Sequence, residues 1–257
     1  MTDSSQPQKS VTGRAFLLLD TFDAQHRHQS LANIARRADL PLTTVHRLVG
    51  ELVTQGALVR VADGSYEIGS KLWRLGLLAS LHSDLREIAL PYMEDIYQLS
   101  NGAVQIGVLD GIRCLIVERI AGSRTLEVVS KPGARLPLHA SGVGKVLLAY
   151  GTSDLQQAAL EALDKFTEYT ITDAALLRSQ LKDISSRGYA HSKEELAIGA
   201  TSVAVPITGY GNKVIAALGV VIPVTDGDIG RLVALLKVSA AALSKKLVAN
   251  GMGDLAR

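Results

Sequence analysis

The sequence predicts an α+β protein with an N-terminal winged helix-turn-helix, a linker helix and a C-terminal α/β domain. Two short amphipathic helices meet at a proline turn and are followed by a small hairpin. A long helical stretch comes next, and from residue 103 onward short apolar strands alternate with glycine turns and helices. We therefore expect three parts, residues 1–69, 70–84 and 85–257.

Length and composition limit the class of protein. With 257 residues, 47% of them hydrophobic and 20% charged, the chain can bury a full core. One cysteine argues against a disulfide framework and favours a reducing cytoplasm. No apolar run approaches the roughly 20 residues that a membrane span needs, and the first ten residues lack an apolar signal core. We expect a cytoplasmic protein with no membrane partner.

The N-terminal segment has the pattern of a helix-turn-helix. A first helix is predicted over 11–24, and Ser30 is a good N-cap for a second one in SLANIARRADL. Leu40-Pro41 ends that helix, and LTTVHRLVGELVTQG begins a third that ends at Gly56. Helix, short turn and helix in this order are typical of DNA-binding modules.

The third helix has two opposite faces at about 100° per residue. Its apolar side carries Val45, Leu48, Val49 and Leu52. Its other side carries Thr43, His46, Arg47 and Gly50, with no acidic residue in that sector. Such a face suits a major groove, where arginine pairs with guanine edges. An ordinary solvated surface helix would show the same pattern, so the face alone does not decide.

A hairpin and a local excess of positive charge favour the DNA-binding interpretation. ALVRVADGSYEIG predicts two short strands joined at Asp63-Gly64, which is the wing of a winged helix. Residues 25–60 carry five arginines against two acids, whereas the whole chain has a net charge of only +2. The candidate DNA contacts are Arg36, Thr43, Thr44, His46, Arg47 and Arg60.

The connecting segment 70–99 is predicted to be helical, with a break or a new first turn at Pro91. Its leucines at 72, 75, 78 and 81 line one edge, and Trp73 is expected to pack there. A second copy of the chain is the simplest cover for such an edge, so we expect a homodimer or homotetramer. Docking on the C-terminal domain is the alternative.

The C-terminal segment predicts a domain large enough to enclose a cavity. Its strands are AVQIGVLDG, RCLIVERI, TLEVVS, TSVAVPIT and KVIAALGVVIP. Its helices are predicted at about 143–150, 153–163, 173–187 and 226–249. Cys114 lies within the second strand, and we expect a buried thiol without a chemical role because no histidine or second cysteine is close in sequence.

The loop LHASGVGKVLLAY resembles a phosphate loop but does not fit one. A Walker loop needs glycine five residues before its Gly-Lys and Ser or Thr after it, and His139 and Val146 occupy those positions. What remains is a helix start capped by Ser141, whose free amide groups suit a carboxylate better than a triphosphate. Alternatively, the glycines only permit tight packing.

The segment RGYAHSKEELAIGATSVAVPI contains adjacent acids at 194 and 195, which are more often part of a solvated turn than an acid/base pair. The six histidines show neither a nucleophile–base arrangement nor metal-ligand spacing. We therefore predict no catalytic residues, no metal and no cofactor, and expect that the protein is not an enzyme.

Three motifs in sequence order, LPLTTVHRL, LPLHASGVGKVLLA and RGYAHSKEELAIGATSVAVPI, resemble the isocitrate lyase regulator (IclR) family of bacterial transcription factors. The likeness runs from about Val11 to Leu247. It implies a ligand-responsive regulator, most simply a repressor, with a GAF-like effector domain. It also implies two partners, a pseudo-palindromic double-stranded operator and a small organic or aromatic acid.

The resemblance implies an effector site between the glycine loop and the strand after the two acids. Carried over to this sequence, the site comprises Gly142, Val143, Ser192, Ala200 and Ser202. Ser202 stands where many family members have cysteine, so the ligands of those members cannot be transferred to this chain. Two alternatives remain open: an enzyme of a small-acid pathway, which turnover assays would reveal, and a metabolite sensor that does not bind DNA.

Overall fold

The computed structural model describes residues 10–23, 25–76, 78, 80–122, 130–225 and 227–254. The chain divides at Ser80 into two compact units. The elements of the first unit are α1 (Val11–Leu19), α2 (Leu31–Ala38), α3 (Leu42–Thr54), β1 (Leu58–Arg60), β2 (Tyr66–Ile68) and α4 (Ser70–Gly76). Those of the second are α5 (Ser80–Ser100), β3 (Ala103–Asp110), β4 (Arg113–Ile120), β5 (Arg135–Pro137), α6 (Gly142–Ala149), α7 (Ser153–Leu160), α8 (Ala174–Arg187), β6 (Ala190–Lys193), β7 (Ala200–Thr208), a 3-10 turn (Tyr210–Asn212), β8 (Val214–Pro223) and α9 (Ile229–Ala249).

The first unit is the predicted winged helix-turn-helix. The Ser30 hydroxyl accepts a hydrogen bond from the Asn33 amide and so caps α2, as its position before the apolar face predicts. Gly56 follows α3 with a φ of 72°, a conformation in which a side chain would be strained. The apolar sides of the three helices meet in one core, formed by Leu18, Ile34, Ala35, Val45, Leu48, Val49 and Leu58.

The hairpin after α3 is confirmed. Strands β1 and β2 pair antiparallel, with Leu58 opposite Ile68 and Arg60 opposite Tyr66. Gly64 has a φ of 85° in the connecting turn, which explains why Asp63-Gly64 marks it in the sequence. This small wing therefore follows directly on the exposed helix α3.

The connecting segment differs from its prediction in two ways. Pro91 lies inside α5 rather than at a break, because its ring faces solvent and the carbonyl that it leaves without a donor can bond to water. The helix is interrupted earlier, between α4 and α5. In the single chain 66% of Trp73 is exposed and Leu75 and Leu78 are exposed as well, so the expected packing of this edge against a second copy stays a prediction. The side chain of Leu81 lies outside the described residues.

The second unit is built on one antiparallel six-stranded sheet in the order β5-β4-β3-β8-β7-β6. Helices α5 and α9 cover one face, and α6, α7 and α8 cover the other. Two short edge strands, β5 and β6, were not predicted. Of the predicted strand TLEVVS only Ser130 is among the described residues, and it lies in no strand. Cys114 is fully buried as predicted, and burial raises the pKa of its thiol to about 12.

Alternation along the central strands gives the sheet two different faces. Val104, Ile106 and Val108 of β3 point into the core under α5 and α9. Gln105 points to the other face of the sheet, towards α6, and only 3% of it is exposed there. The α6 side also carries small residues, so this side of the sheet has room for a cavity.

Candidate functional site

The outer face of α3 is a free, cationic surface within the first unit. Thr43, His46 and Arg47 are exposed, and nothing lies within 4 Å of the position that a Cβ on Gly50 would take. Thr44 is only half-buried on the flank of this face. This helix face has no bulky apolar side chain and carries hydroxyl, imidazole and guanidinium groups. It therefore has the shape and the hydrogen-bond donors that a DNA groove requires.

The expectation that no acid accompanies this face is wrong at its edge. Glu51, one turn after Arg47, accepts a hydrogen bond from the arginine, with Nη1 and Oε1 separated by 2.5 Å. Both side chains are more than half exposed, so the pair contributes little to stability. Its effect is positional, because it holds the guanidinium against the helix rather than extended into solvent.

Two further candidate arginines lie on other elements of the first unit. Arg36 is exposed near the end of α2 and makes no ion pair with any residue that the structure describes. Arg60 lies at the end of β1, where its guanidinium is 5.9 Å from the centre of the Tyr66 ring. The neighbouring Arg37 is different, because it binds Asp23 at 2.6 Å and has a structural role.

A cavity opens in the second unit where the start of α6 faces the sheet. The free space inside it is about 30 Å³, far below the volume of typical small-molecule sites, so the lining must move apart for a ligand to enter. Its lining combines apolar side chains with several polar ones: Gln105, Ser130, Leu136, Ala140, Ser141, Gly142, Ser192, Glu195, Leu196, Ala197, Ala200, Thr201, Ser202 and Val221.

The cavity end at α6 is formed by a tightly packed helix start. The Ser141 hydroxyl donates to the Pro137 carbonyl and accepts from the Gly144 amide. A Cβ on Gly144 would lie 2.6 Å from that carbonyl oxygen, so only glycine fits there. The amides of Gly142 and Val143 begin the helix and have no acceptor within it, which gives this end a positive character.

Four of the five residues assigned to the effector site line this cavity: Gly142, Ser192, Ala200 and Ser202. Ser202 faces the helix start so closely that a Cβ on Gly142 would lie 2.7 Å from its hydroxyl oxygen. The side chain of Val143 does not line it, because it is fully buried and packs against Gly219 of the sheet. Only the Val143 backbone amide remains available to a ligand.

A buried ion pair next to the cavity was not predicted. The Lys145 ammonium group lies 2.5 Å from Glu195 Oε1 and also donates to Gln180 at 2.9 Å. Lys145 is fully buried, and burial lowers the pKa of its side chain while Glu195 opposes this shift. Glu195 is therefore not in a solvated turn, whereas its neighbour Glu194 accepts a hydrogen bond from the Gly199 amide. Adjacent acids in the sequence could not show which one has a buried cation as its partner.

Three buried polar atoms of the cavity lining have no hydrogen-bond partner among the residues that the structure describes. They are Gln105 Oε1, Ser130 Oγ and Glu195 Oε2. Buried polar atoms in native proteins are nearly always bonded, and unpaired ones are costly. Three of them around one cavity mean that a polar group, from water or from a ligand, can form hydrogen bonds there.

Two features are absent from the residues that the structure describes. No group of three or more histidine, cysteine, aspartate or glutamate side chains that could hold a metal ion lies among them. No helix in the described part of the chain combines the length and apolar character needed to cross a membrane.

Comparisons with known proteins relate both units to one family. The family described as IclR helix-turn-helix domain matches residues 11–62, and the one described as bacterial transcriptional regulator IclR C-terminal matches 78–245. The HTH-type transcriptional regulator XynR of Escherichia coli is 31% identical over 241 residues, which cover 91% of this chain and 95% of XynR. The HTH-type transcriptional repressor AllR of Escherichia coli is 27% identical over 80% of this chain and 78% of its own length.

Solved structures show the same relationship. An IclR homolog from Microbacterium hydrocarbonoxydans, in complex with 4-hydroxybenzoate, is similar to this chain with a TM-score of 0.85 and 34% sequence identity. The match covers 93% of this chain and 100% of that chain. The similarity therefore includes both the winged helix and the cavity-bearing unit.

Proposed function

The chain belongs to the IclR family of bacterial transcriptional regulators, and from this premise we propose that a small organic acid in the cavity controls operator binding by α3 and the wing. The cavity at the start of α6 carries this proposal. It joins free helix amides, a serine hydroxyl and apolar walls in one enclosed space, the combination that a small carboxylate requires. The 4-hydroxybenzoate complex of the similar homolog supports an acid as the ligand class.

On the DNA side, we assign base and phosphate contacts to Arg36, Thr43, Thr44, His46, Arg47 and Arg60. Thr43, His46 and Arg47 lie on the free face of α3 and are exposed. Phosphate contacts by the arginines of α2 and the wing would position the module without reading sequence. Recognition of base edges then falls to α3, with Arg47 as its strongest donor.

On the ligand side, the amides of Gly142 and Val143 receive the carboxylate, and the Ser202 hydroxyl donates a further hydrogen bond to it. Ser202 has no hydrogen-bond partner among the described residues and faces Gly142 directly. The Ser192 hydroxyl donates a hydrogen bond of 3.2 Å to the Ala140 carbonyl and so fixes the segment before α6. Ala200 provides part of the apolar wall.

We assign residues 1–69 to DNA binding, 70–84 to the linker and 85–257 to effector binding and oligomerisation. The exposed apolar side chains of Trp73, Leu75 and Leu78 support a second copy of the chain as the partner of the linker. A homodimer or homotetramer carries two or more copies of α3, so its operator would be pseudo-palindromic. We expect the protein to repress transcription and the acid to release the protein from its operator.

The test measures binding of the protein to its own upstream DNA by fluorescence anisotropy, with and without a panel of small acids. Acids for the panel are selected by thermal shift, since a bound ligand stabilises the protein in proportion to the logarithm of its concentration over Kd. We expect at least one acid to lower operator affinity. Absence of DNA binding at low salt, or turnover of an acid by the protein, would contradict the proposal.

The variant Ser202→Trp tests the location of the effector. The indole would fill the cavity beside Gly142, whereas the first unit is unchanged. We expect normal operator affinity but no response to the acid, measured in the same anisotropy assay. A normal response in this variant would move the effector site elsewhere.

A further inference from the structure

The free space in the cavity at the start of α6 is much smaller than an organic acid. Its volume of about 30 Å³ holds roughly two water molecules. An acid can therefore enter only while one part of the lining is displaced, and the contacts of each part determine which one moves.

Two sides of the cavity are held by regular hydrogen bonds and close packing. Gln105, Ser202 and Val221 lie on β3, β7 and β8, each of which is paired with a strand on both sides. At the start of α6, a Cβ on Gly144 would lie 2.6 Å from the Pro137 carbonyl oxygen, so the helix is in direct contact with the segment before it. Displacing either side would break several of these contacts at once.

A third side of the cavity is the loop 194–199, which joins β6 to β7. Its residues 195–197 line the cavity and lie outside the ladder of hydrogen bonds between the two strands. Glu194 and Gly199, at the two ends of the loop, have left-handed backbone angles, with φ of 57° and 78°. Backbone rotation at two such end positions is sufficient to swing a short loop as a unit.

Side chains from neighbouring segments hold this loop against the cavity. The Lys145 ammonium group of α6 lies 2.5 Å from Glu195 Oε1. Thr170 Oγ1 donates to the Glu195 carbonyl at 2.6 Å, and Thr167 Oγ1 donates to the Glu194 carbonyl at 2.7 Å. Lys145, Thr167 and Thr170 do not themselves line the cavity, so they can act on a ligand only through the loop.

The Lys145–Glu195 pair suits a contact that opens and closes again. Lys145 is fully buried and Glu195 is 5% exposed, so their attraction is strong in the closed position. When the loop moves away, water reaches both charges, and their hydration offsets most of the attraction that is lost. The pair therefore slows opening without preventing it, and it returns the loop to one defined position.

On the premise of the proposed function, we propose that the loop 194–199 is the gate of the effector cavity and that Lys145 is the positioning residue that latches it through Glu195. The latch joins the same atoms whether the cavity is empty or filled. A weaker latch then raises the open population of both forms alike, so association and dissociation accelerate by the same factor and Kd is unchanged.

Hydrogen–deuterium exchange of the full chain tests the latch without any ligand. The double variant Lys145→Met with Glu195→Gln removes both charges, so neither is left buried without its partner. We expect amide exchange in the loop 194–199 to become about tenfold faster, whereas exchange in β8 stays as in the parent. Unchanged exchange in the loop overturns the inference, whatever the effector is.

The matched control removes another ion pair between a helix and the sheet. Arg86 of α5 binds Glu118 of β4, and neither residue lines the cavity. We expect Arg86→Met with Glu118→Gln to leave exchange in the loop 194–199 as in the parent. Faster loop exchange in this control too would mean that the loop responds to general loss of stability, and the latch would be refuted.

The variant Thr170→Val tests whether the loop is the entry path. It removes a hydroxyl that holds the Glu195 carbonyl, and it leaves the cavity lining and the ion pair in place. Stopped-flow mixing with 4-hydroxybenzoate is expected to show both rate constants raised about fivefold and Kd within twofold of the parent. A side chain with only a structural role would change Kd instead of raising the two rates together.

The outcomes separate the gate from the proposed function. Faster loop exchange with unchanged binding rates would place the entry path elsewhere and overturn the gate, while the effector site would stand. If 4-hydroxybenzoate and the acids selected by thermal shift bound neither the parent nor the variants, the proposed function would fail. The exchange comparison would then decide the latch by itself.

Discussion

At the scale of single residues, we propose that DNA recognition depends most on the side chain of Arg47. It is the one arginine on the free face of α3, and Glu51 holds it in place. We expect Arg47→Ala to lower operator affinity by about 1–3 kcal/mol and to relax specificity at one base pair. Anisotropy with the operator and with a scrambled duplex measures both effects.

Arg178→Ala is the control for Arg47→Ala. Arg178 is exposed in the second unit, so its loss removes the same charge without touching the winged helix. If Arg47→Ala bound the operator as tightly as the parent, α3 would not present this face to DNA. Equal losses in both variants would instead indicate an effect of net charge alone.

His139 makes stability depend on pH. Its ring is buried and Nε2 bonds to the Asp164 carbonyl at 2.9 Å, and burial lowers the pKa of this histidine. As the pH falls through the unfolded value of about 6.5, the unfolded chain takes up a proton that the folded chain does not, so the free energy of unfolding decreases. The decrease ends below the folded pKa.

Urea unfolding between pH 7.5 and pH 5 checks this sign. His139→Gln is expected to reduce the slope, because the glutamine amide can donate to Asp164 but does not titrate. His191 contributes in the same direction, since burial also lowers the pKa of its ring. The double variant with His191→Gln should be flatter still, and a slope unchanged by His139→Gln would refute the assignment.

Residue types and spacing predicted the two faces of α3, and the family resemblance supplied four residues that line the cavity, but neither predicted the polar partners around it. Gln105 lies in an apolar strand, and only the sheet register shows that it faces α6. Glu195 meets Lys145 from a position 50 residues away. Contacts of this kind depend on tertiary packing, which cannot be read from hydrophobic periodicity or from the secondary-structure propensity of single residues.

At the scale of elements, the start of α6 packs closely on β7 at one side of the cavity. A Cβ on Gly142 would lie 2.7 Å from Ser202 Oγ but 3.4 Å from Ser202 Cβ and 3.5 Å from Ala204 Cβ. Gly142→Ala should therefore overpack the contact by about 1–3 kcal/mol. Removing the hydroxyl leaves ordinary van der Waals distances, so Gly142→Ala with Ser202→Ala should recover most of that loss.

Thermal unfolding of the two single variants and the double variant measures this coupling as a double-mutant cycle. Effector affinity is expected to stay low in all three, because the hydroxyl or the space beside it is gone. If the double variant were as unstable as the sum of the single ones, helix and strand would not be in the contact described here.

Local sequence signals predicted most helices and strands of the chain. They failed where the surroundings of a residue determine its secondary structure. Ser30, Ser141 and Gly56 mark helix ends in the sequence and do so in the structure, because caps are local hydrogen bonds or backbone angles. Pro91 gave a wrong break, since an exposed proline can be accommodated in α5. The edge strands β5 and β6 are three and four residues long, too short for periodicity to reveal.

At the scale of the whole molecule, regulation requires that the acid bind one functional state of the protein more tightly than another. An acid that binds both equally shifts nothing, however tightly it is held. Tenfold control of DNA occupancy needs a difference of about 1.4 kcal/mol. One hydrogen bond to a buried group, made in only one state, is of this size.

This requirement leads to a reciprocal prediction. If a saturating acid lowers operator affinity by some factor, saturating operator must lower acid affinity by the same factor, because both are sides of one thermodynamic cycle. Titrating the acid into free protein and into the protein–operator complex gives the second factor, and anisotropy with and without acid gives the first. Ser202→Trp should bring both factors to one. Unequal factors would mean that the acid acts outside this equilibrium, for example by changing the oligomeric state during the measurement, and the two-state account of control would then be wrong.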